Sequence, residues 1–443
     1  MINVRIELPS NVKEAIGLLE AAGFECLIVG GCVRDALMGI EPHDYDLTTS
    51  ATPDEMLSVF SGYRVIPTGI KHGTLTVLIG DEPLEITTFR TDGEYLDNRR
   101  PESVSFSRNI ADDLSRRDFT VNAMAYSEKQ GLVDCFGGVD DLKNKVIRAV
   151  GEPDRRFNED GLRIMRGLRF AATLGFSIES ETADSIHRCR RLLNNIAVER
   201  LWVELSKLIR GVDAARILRD YSDVIGEILP EILPMIGFDQ KTRHHCYDVY
   251  EHTLRVLDNC DRSDTVLRLA AFFHDVGKPE TQTFDQNGAH FYGHAERSAE
   301  ITDAIFRRFH TDNATRDQVV RLISEHCRQI EPTERSVRRF LASHDATSFD
   351  RYVKLYRADR LACAPDNRDT SSIDKIEAIA ARLFEADTCL SLKTLAVKGD
   401  DLIALGYRGR EIGMLLNELL DGVITGRLKN DRNTLLSEIK QKK

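Results

Sequence analysis

Two aspartates, Asp44 and Asp46, stand just after a Gly-Gly junction that carries an arginine, Arg34. In an extended segment, residues two apart project from the same face, so both carboxylates point one way. Like charges held side by side repel unless a cation lies between them, which makes a divalent metal site the chemical reading of the pair. Cys26 to Val29 is a short apolar run ending in Gly30-Gly31, read as a buried strand that breaks into a tight turn. Val33 to Met38 reads as a short helix with Arg34 in its first turn. Such a junction offers backbone N–H groups and a cation to one point, as a polyphosphate requires. Alone, Gly-Gly is usually a turn and Asp-x-Asp a solvated loop; their order and spacing carry the functional reading.

A second set lies between Glu159 and Phe170. Ile164, Leu168 and Ala171 form an apolar stripe at helical spacing, while Asp160, Arg163 and Arg166 recur every third residue on another face. The plainer reading of Asp160 and Arg163 is an intrahelical salt bridge; the sharper one is a nucleobase template. Cytosine and adenine both present an amino donor beside a ring-nitrogen acceptor, which a carboxylate and a guanidinium complement. Uracil and guanine reverse that pattern and leave both side chains unpaired, at about 1–3 kcal/mol per buried group.

A third set begins near Lys241, after which histidines crowd at 244, 245, 252, 274, 290, 294 and 326. A helical apolar run from Thr265 ends in His274-Asp275, stopped by Gly277 and Pro279. Asp359 shares a helix face with Tyr352, Leu355 and Tyr356, where a bare carboxylate is costly without a metal or a charge partner.

The elements that must position these groups are legible in outline. Thr52-Pro-Asp-Glu55 is a capping box with proline at the first helical position, opening a helix through Phe60. Thr74 to Ile79 and Leu84 to Phe89 read as strands, with Glu85 on the polar face of the second. Thr91 to Ser103 is polar and punctuated by Gly and Pro, either a surface loop or a mobile loop over the site. Arg117, Asp118 and Asn122 form a dense polar set just before an apolar segment. From Ser180 to about Pro234, and again past Thr370, the pattern is amphipathic helix.

The 443 residues are 42% hydrophobic and 30% charged, enough for several globular domains. No apolar run reaches membrane-spanning length, so no membrane partner is expected. Nine cysteines without a Cys-x-x-Cys pair form neither a disulfide framework nor a zinc ribbon, and a reducing cytoplasm fits them best. The net charge of −11 leans against a nucleic-acid partner, although a basic groove can sit on an acidic body. Of the basic stretches at Arg155–Arg169, Arg188–Arg191 and Arg335–Arg339, only the first reads as more than a solvated helix face.

The wording GGCVRDALMG followed by HDYDLTTSA resembles the nucleotidyltransferase superfamily, in the branch of class II tRNA nucleotidyltransferases and poly(A) polymerases. The resemblance implies that Asp44 and Asp46 hold Mg²⁺, with Glu85 of EITTFR as the third active-site carboxylate. It implies triphosphate contacts from Gly31, Arg34 and Arg117, and phosphate and ribose contacts from the RRDFT motif with Asp118 and Asn122. Base selection would fall to Asp160 and Arg163, supported by Arg166 and Arg169. The 91–103 loop matches a segment associated in the family with adding the terminal A, and Asp134 to Gly138 matches a structural turn. Leu392 to Gly413 resembles the family's C-terminal block, a glycine-rich turn between short helices.

The His274-Asp275 pair, with Glu251-His252 upstream and Asp359 downstream, resembles the HD phosphohydrolase superfamily. That likeness implies His252, His274, Asp275 and Asp359 as ligands of Mg²⁺ or a divalent transition metal. His294 and His326 fall where two-metal members carry extra histidines, so they read either as ligands or as structural residues; His245 and His290 read as neither site's ligands.

The fold expected is an α+β, multidomain chain. A polymerase-β-like mixed-sheet head covers 1–150, an all-α neck 151–238, an HD helical domain 239–368 and a helical tail, with a tRNA-binding role, 369–443. The implied activity is transfer of CMP and AMP from CTP and ATP to a tRNA 3′ end, with an HD phosphohydrolase activity beside it. The rivals are a poly(A) polymerase, an enzyme adding only A or only C, and an HD hydrolase or nucleotide-binding regulator with an inactive head. The 91–103 loop disfavours the C-only form, and the intact Asp44, Asp46 and Glu85 count against an inactive head.

Overall fold

The computed structural model describes residues 5–93, 103–242, 246–286, 288–385 and 392–441. Most of the 91–103 loop, and His244 and His245, lie outside the described residues. The chain forms two compact units, Met1–Pro230 and Glu231–Lys443.

The first unit is built on a seven-stranded mixed sheet. Its strands are β1 (Cys26–Val29), β2 (Asp46–Thr49), β3 (Arg64–Gly69), β4 (Thr74–Ile79) and β5 (Glu82–Thr88). A short pair, β6 (Arg90–Asp92) with β7 (Val104–Phe106), forms a separate antiparallel ladder. The large sheet is completed by β8 (Met124–Ser127) and β9 (Gly131–Asp134), in the order β3-β4-β5-β2-β1-β8-β9. All four residues of β1 are buried, as expected of a strand covered on both faces, and each fully buried aliphatic side chain contributes about 1.5–3 kcal/mol. Within this sheet, among the described residues, β2 and β5 are the one parallel pair.

The expected helix after β1 starts two residues early, at Gly31, and runs to Leu37. Gly30 makes the turn with φ +85°, and a Cβ there would lie 3.1 Å from Arg117 Nη1, so the position favours glycine twice over. The capping box at Thr52 is formed, the Glu55 carboxylate accepting from the Thr52 N–H at 2.7 Å. Asp134 accepts the N–H groups of Gly138 and Val139 at 2.9 Å each, tying the turn after β9 to the helix Gly138–Asn144. Behind the sheet, helices Pro153–Glu159, Leu162–Leu174, Ser180–Cys189 and Val198–Ile209 form the neck. Ile164, Leu168 and Ala171 are fully buried, so the apolar stripe is core.

The second unit is all but wholly helical. Asp248, Asp264, Asp312 and Asp345 each accept a backbone N–H three residues on, capping helices Val249–Asp258, Thr265–Phe273, Asn313–Glu325 and Ala346–Ala362. A side-chain N-cap is worth about 1 kcal/mol, so these four set the helix starts firmly. The tail has its own small core of Leu395, Val397, Leu402, Leu419, Val423, Leu435 and Ile439. Among the described residues no helix is long and apolar enough to cross a membrane.

Candidate active site and metal centre

In the head, Asp46 opens β2 and pairs in parallel register with Glu85 of β5, which sets those two carboxylates side by side on neighbouring central strands of the sheet. Asp44 lies two residues before, in the chain leading into β2, and all three line a cleft of about 710 Å³ with His43, Tyr45 and Glu82. Surrounding protein raises the Asp46 carboxyl above its ordinary value, the Asp44 charge adds to this, and Arg117 opposes it. Asp46 remains open to solvent, as the wall of an open cleft is. Three carboxylates lining one cleft are a donor set that a divalent cation suits, since the cation offsets both the burial cost of the Asp46 charge and its repulsion from Asp44. The three are not drawn together as tightly as the ligand groups of the second unit, whose donor atoms lie within 4.8 Å of one another.

The arginines beside the cleft are held by acids. Arg34 Nη1 donates to Asn122 Oδ1 at 2.6 Å and its Nε donates to Asp35 at 2.9 Å. Arg117 pairs with Asp113 at 3.2 Å, and Asp113 also takes Arg116 at 2.7 Å. Burial works against the Asp113 charge, but Arg117 and Arg116 outweigh it and hold the carboxyl below the usual range. Asp118 is buried too, which alone would raise it; Arg166, at 2.6 Å, outweighs burial and brings it to about 2. Asp118 also accepts the Phe119 N–H at 2.8 Å, and Asn122 reaches it at 3.4 Å.

The expectation that Asp160, Arg163 and Arg166 share one helix face does not hold. Asp160 ends the helix Pro153–Glu159 with φ −140° and ψ 105°, and the next helix begins at Leu162. The Asp160–Arg163 bridge is replaced: Asp160 accepts the Leu162 N–H and Arg200 Nη2, both at 3.0 Å. Arg163 is turned inward to Glu159 at 2.7 Å and to the carbonyls of Arg156 and Arg116 at 3.1 and 3.0 Å. Arg166 goes to Asp118 and Arg169 to Glu204, the latter at 2.7 Å. The Phe170 ring has the guanidinium of Arg169 at 3.6 Å and those of Arg34 and Arg166 at 5.3 Å each, which gathers the three arginines around one aromatic platform.

In the second unit the histidines stand at helix ends. His274 follows Thr265–Phe273, His294 opens His294–Arg308 and His326 follows Asn313–Glu325. Each places Nδ1 on the carbonyl three residues before: Ala271 at 2.9 Å, Phe291 at 2.6 Å and Ile323 at 2.6 Å. With the proton on Nδ1, each Nε2 lone pair is left for a cation, the arrangement metal-ligating histidines adopt. Asp359 meets His252 Nε2 at 2.9 Å, and Asp275 Oδ2 lies 3.1 Å from His274 Nε2 and 3.6 Å from His252 Nε2. Asp275 Oδ1 is buried without a hydrogen bond, with His294 and His326 Nε2 at 3.5 and 3.9 Å. Burial opposes the Asp275 charge, yet His274, Lys278 and His294 hold its carboxyl well below the usual range. Burial lowers His294 and takes His326 down to about 3, so both rings are neutral, the form that binds metal. His290 is elsewhere, paired with Asp285 at 2.8 Å.

Residues 26–148 match the family described as the poly A polymerase head domain, 175–235 the "Probable RNA and SrmB- binding site of polymerase A", and 242–378 the HD domain. A CCA-adding enzyme of Streptococcus gordonii is 35% identical over 452 residues, spanning 99% of this chain and all of that one. This chain belongs to the CCA-adding enzyme family. A second relative, the CCA-adding enzyme of Streptococcus mutans, is 34% identical over 98% of both chains. The crystal structure of the Bacillus stearothermophilus CCA-adding enzyme in complex with CTP superposes with a TM-score of 0.71 at 26% identity, over 98% of this chain and 99% of that one. Membership makes the chain a nucleotidyltransferase with an HD domain, and both families use a divalent metal. As a CCA-adding enzyme it carries site residues that its sequence conceals. Arg200 holds Asp160 from 40 residues away, Glu204 holds Arg169, and Asp113 holds Arg117. Cys327 stands within 3.3 Å of two of the histidines.

Proposed function

We propose that the addition of CMP and AMP to the tRNA 3′ end runs on the head residues Asp44, Asp46 and Glu85, which hold Mg²⁺ in the cleft. An ion held by these three carboxylates would supply Lewis-acid charge stabilisation to the reacting 3′-hydroxyl and the triphosphate. Gly31, Arg34 and Arg117 receive the phosphates and offset the charge that develops as the bond to the α-phosphorus forms. Asp118 and Asn122 hold the ribose side, their geometry set by Arg166 and Arg34. Asp160 and Arg163 select the base. Three of the five N–H donors of Arg163 are spent on Glu159 and two carbonyls, which leaves two for a ring nitrogen, while Arg200 and the Leu162 N–H aim the Asp160 oxygens. Arg169, on the Phe170 ring, backs this set.

The division of labour proposed is a catalytic head at 1–150, a nucleotide- and RNA-binding neck at 151–238, an HD domain at 239–368 and a tRNA-contacting tail at 369–443. The observation that carries the reading is the Asp46–Glu85 register in a chain related end to end to CCA-adding enzymes. The partners proposed are CTP, ATP and tRNA: the B. stearothermophilus enzyme is a complex with CTP, another CCA-adding enzyme a complex with ATP, and a Thermotoga maritima enzyme a complex with tRNA_CCA. The HD domain is read as a metal-dependent phosphohydrolase on its His252, His274, Asp275 and Asp359 cluster.

The test is extension of tRNA transcripts lacking zero, two or three terminal nucleotides, with CTP and ATP supplied singly and together. With CTP alone the transcript lacking three nucleotides should gain two C residues, that lacking two should gain one and the complete one none, with both truncated transcripts completed only when CTP and ATP are supplied together. Long A tails would make the enzyme a poly(A) polymerase, and arrest after one nucleotide type on every transcript would make it a single-nucleotide adder.

A further inference from the structure

Cys327 Sγ lies 3.3 Å from His294 Nε2 and 3.2 Å from His326 Nε2, and the three donor atoms fall within 4.8 Å of one another. Asp275 Oδ1 completes the group at 3.5 and 3.9 Å from the same two nitrogens. We infer that Cys327, His294, His326 and Asp275 form a second metal site in the HD domain, closed by a thiolate and built for Zn²⁺. This inference rests on the metal-binding reading of the HD cluster and goes beyond it by assigning the sulfur.

Three observations carry it. The first is spacing. Zn–N and Zn–O bonds of about 2.0–2.2 Å and Zn–S of about 2.3 Å give a tetrahedron with edges of roughly 3.3–3.7 Å, and the four separations of Cys327 and Asp275 from the two histidine nitrogens, 3.2 to 3.9 Å, lie close to that range. The second is orientation. His294 and His326 both have Nδ1 committed to a backbone carbonyl, so the nitrogens facing Cys327 are lone-pair donors. The third is Asp275, whose two oxygens face different histidine pairs, His252 with His274 and His294 with His326, so one carboxylate bridges two ions.

The donor chemistry then chooses the metal. An all-N/O pocket accepts Mg²⁺ or Mn²⁺, whereas a thiolate among two imidazoles selects a softer ion of the zinc class. Four protein donors also match the coordination number of a tetrahedral zinc ion. A weak S–H hydrogen bond to the imidazoles is the competing account of the same distances.

The experiment uses the full chain, stripped with chelator, reloaded with Zn²⁺ or Co²⁺ and dialysed, with metal counted by mass spectrometry. Wild type is expected to retain two ions per chain and Cys327→Ser one. The Co²⁺-loaded wild type should show a near-ultraviolet thiolate-to-cobalt charge-transfer band that Cys327→Ser lacks, with equal thermal melting in the apo state showing that both are folded. Two retained ions in both proteins with no such band would overturn the inference and leave a binuclear site of nitrogen and oxygen donors. One ion in both would overturn it and leave a single-metal HD centre. No retained ion in wild type would remove the HD metal reading itself along with it.

Discussion

Asp118→Asn isolates the ion pair that joins the RRDFT segment to the helix Leu162–Leu174. The wild-type carboxyl is held at about 2 from an ordinary 3.8, with Arg166 overcoming the cost of burial. At about 1.4 kcal/mol per pKa unit, that depression is worth about 2 kcal/mol of folding stability. The side chain is buried, so solvent screening takes little from it. Because the folded pKa is the lower one, the stabilisation is complete above about pH 4 and disappears as the pH falls through 2. The asparagine keeps the size and the Phe119 N–H contact but not the charge, so the variant should be about 2 kcal/mol less stable at pH 7. The difference should stay constant down to about pH 5 and shrink on further acidification. Trp202, the sole tryptophan of the chain, lies in the helix Val198–Ile209 of the first unit, so its fluorescence during urea unfolding reports the relevant unit alone. The loosened Arg166 should also raise KM for CTP and ATP together. Equal stability at pH 7, or a gap that widens in acid, would refute the linkage.

Asp160→Asn puts an amide where Arg200 and the Leu162 N–H both call for oxygen, so its NH₂ can meet a uracil carbonyl; UTP should gain about tenfold on CTP in relative kcat/KM, and an unchanged ratio would dismiss Asp160 as the template. At Gly211 a Cβ would sit 2.6 Å from the Ala172 carbonyl carbon, so Gly211→Ala should cost about 1–3 kcal/mol by Trp202-detected unfolding, and a neutral result would mean the helices part freely. Asp275→Asn removes the charge shared by the HD histidines; metal-dependent phosphohydrolysis should vanish while CTP addition stays near wild type, and joint loss in a folded protein would mean one coupled site.

The strand period made the sheet readable. A polar Glu85 on an alternating strand and a paired Asp44/Asp46 are local patterns, and the Asp46–Glu85 register joined them without any long-range surprise. The clustering of the HD residues was legible for a related reason: His274 and Asp275 end an apolar helix, and an acid such as Asp359 on an apolar face asks for a partner, which His252 provides. What was not legible depends on contacts between distant segments. The three-residue spacing of Asp160, Arg163 and Arg166 suggested one face, but the chain breaks at Gly161, where a Cβ would press on Leu192 at 3.1 Å. That break frees Asp160 for Arg200, whose side chain arrives from the helix Val198–Ile209. Cys327 looked like one cysteine among nine, since its neighbour His294 is 33 residues away in the chain.

The central claim, that Asp46 with Asp44 and Glu85 holds the catalytic cation, is tested most directly by single-turnover CTP addition to a tRNA lacking its last three nucleotides, wild type against Asp46→Asn. The substitution relieves carboxylate repulsion, so the variant should keep the wild-type Trp202 emission and urea midpoint. Addition should fall about a thousandfold or more, because several kcal/mol of charge stabilisation leave with the ion. A folded Asp46→Asn enzyme that adds C within tenfold of the wild-type rate would contradict the account.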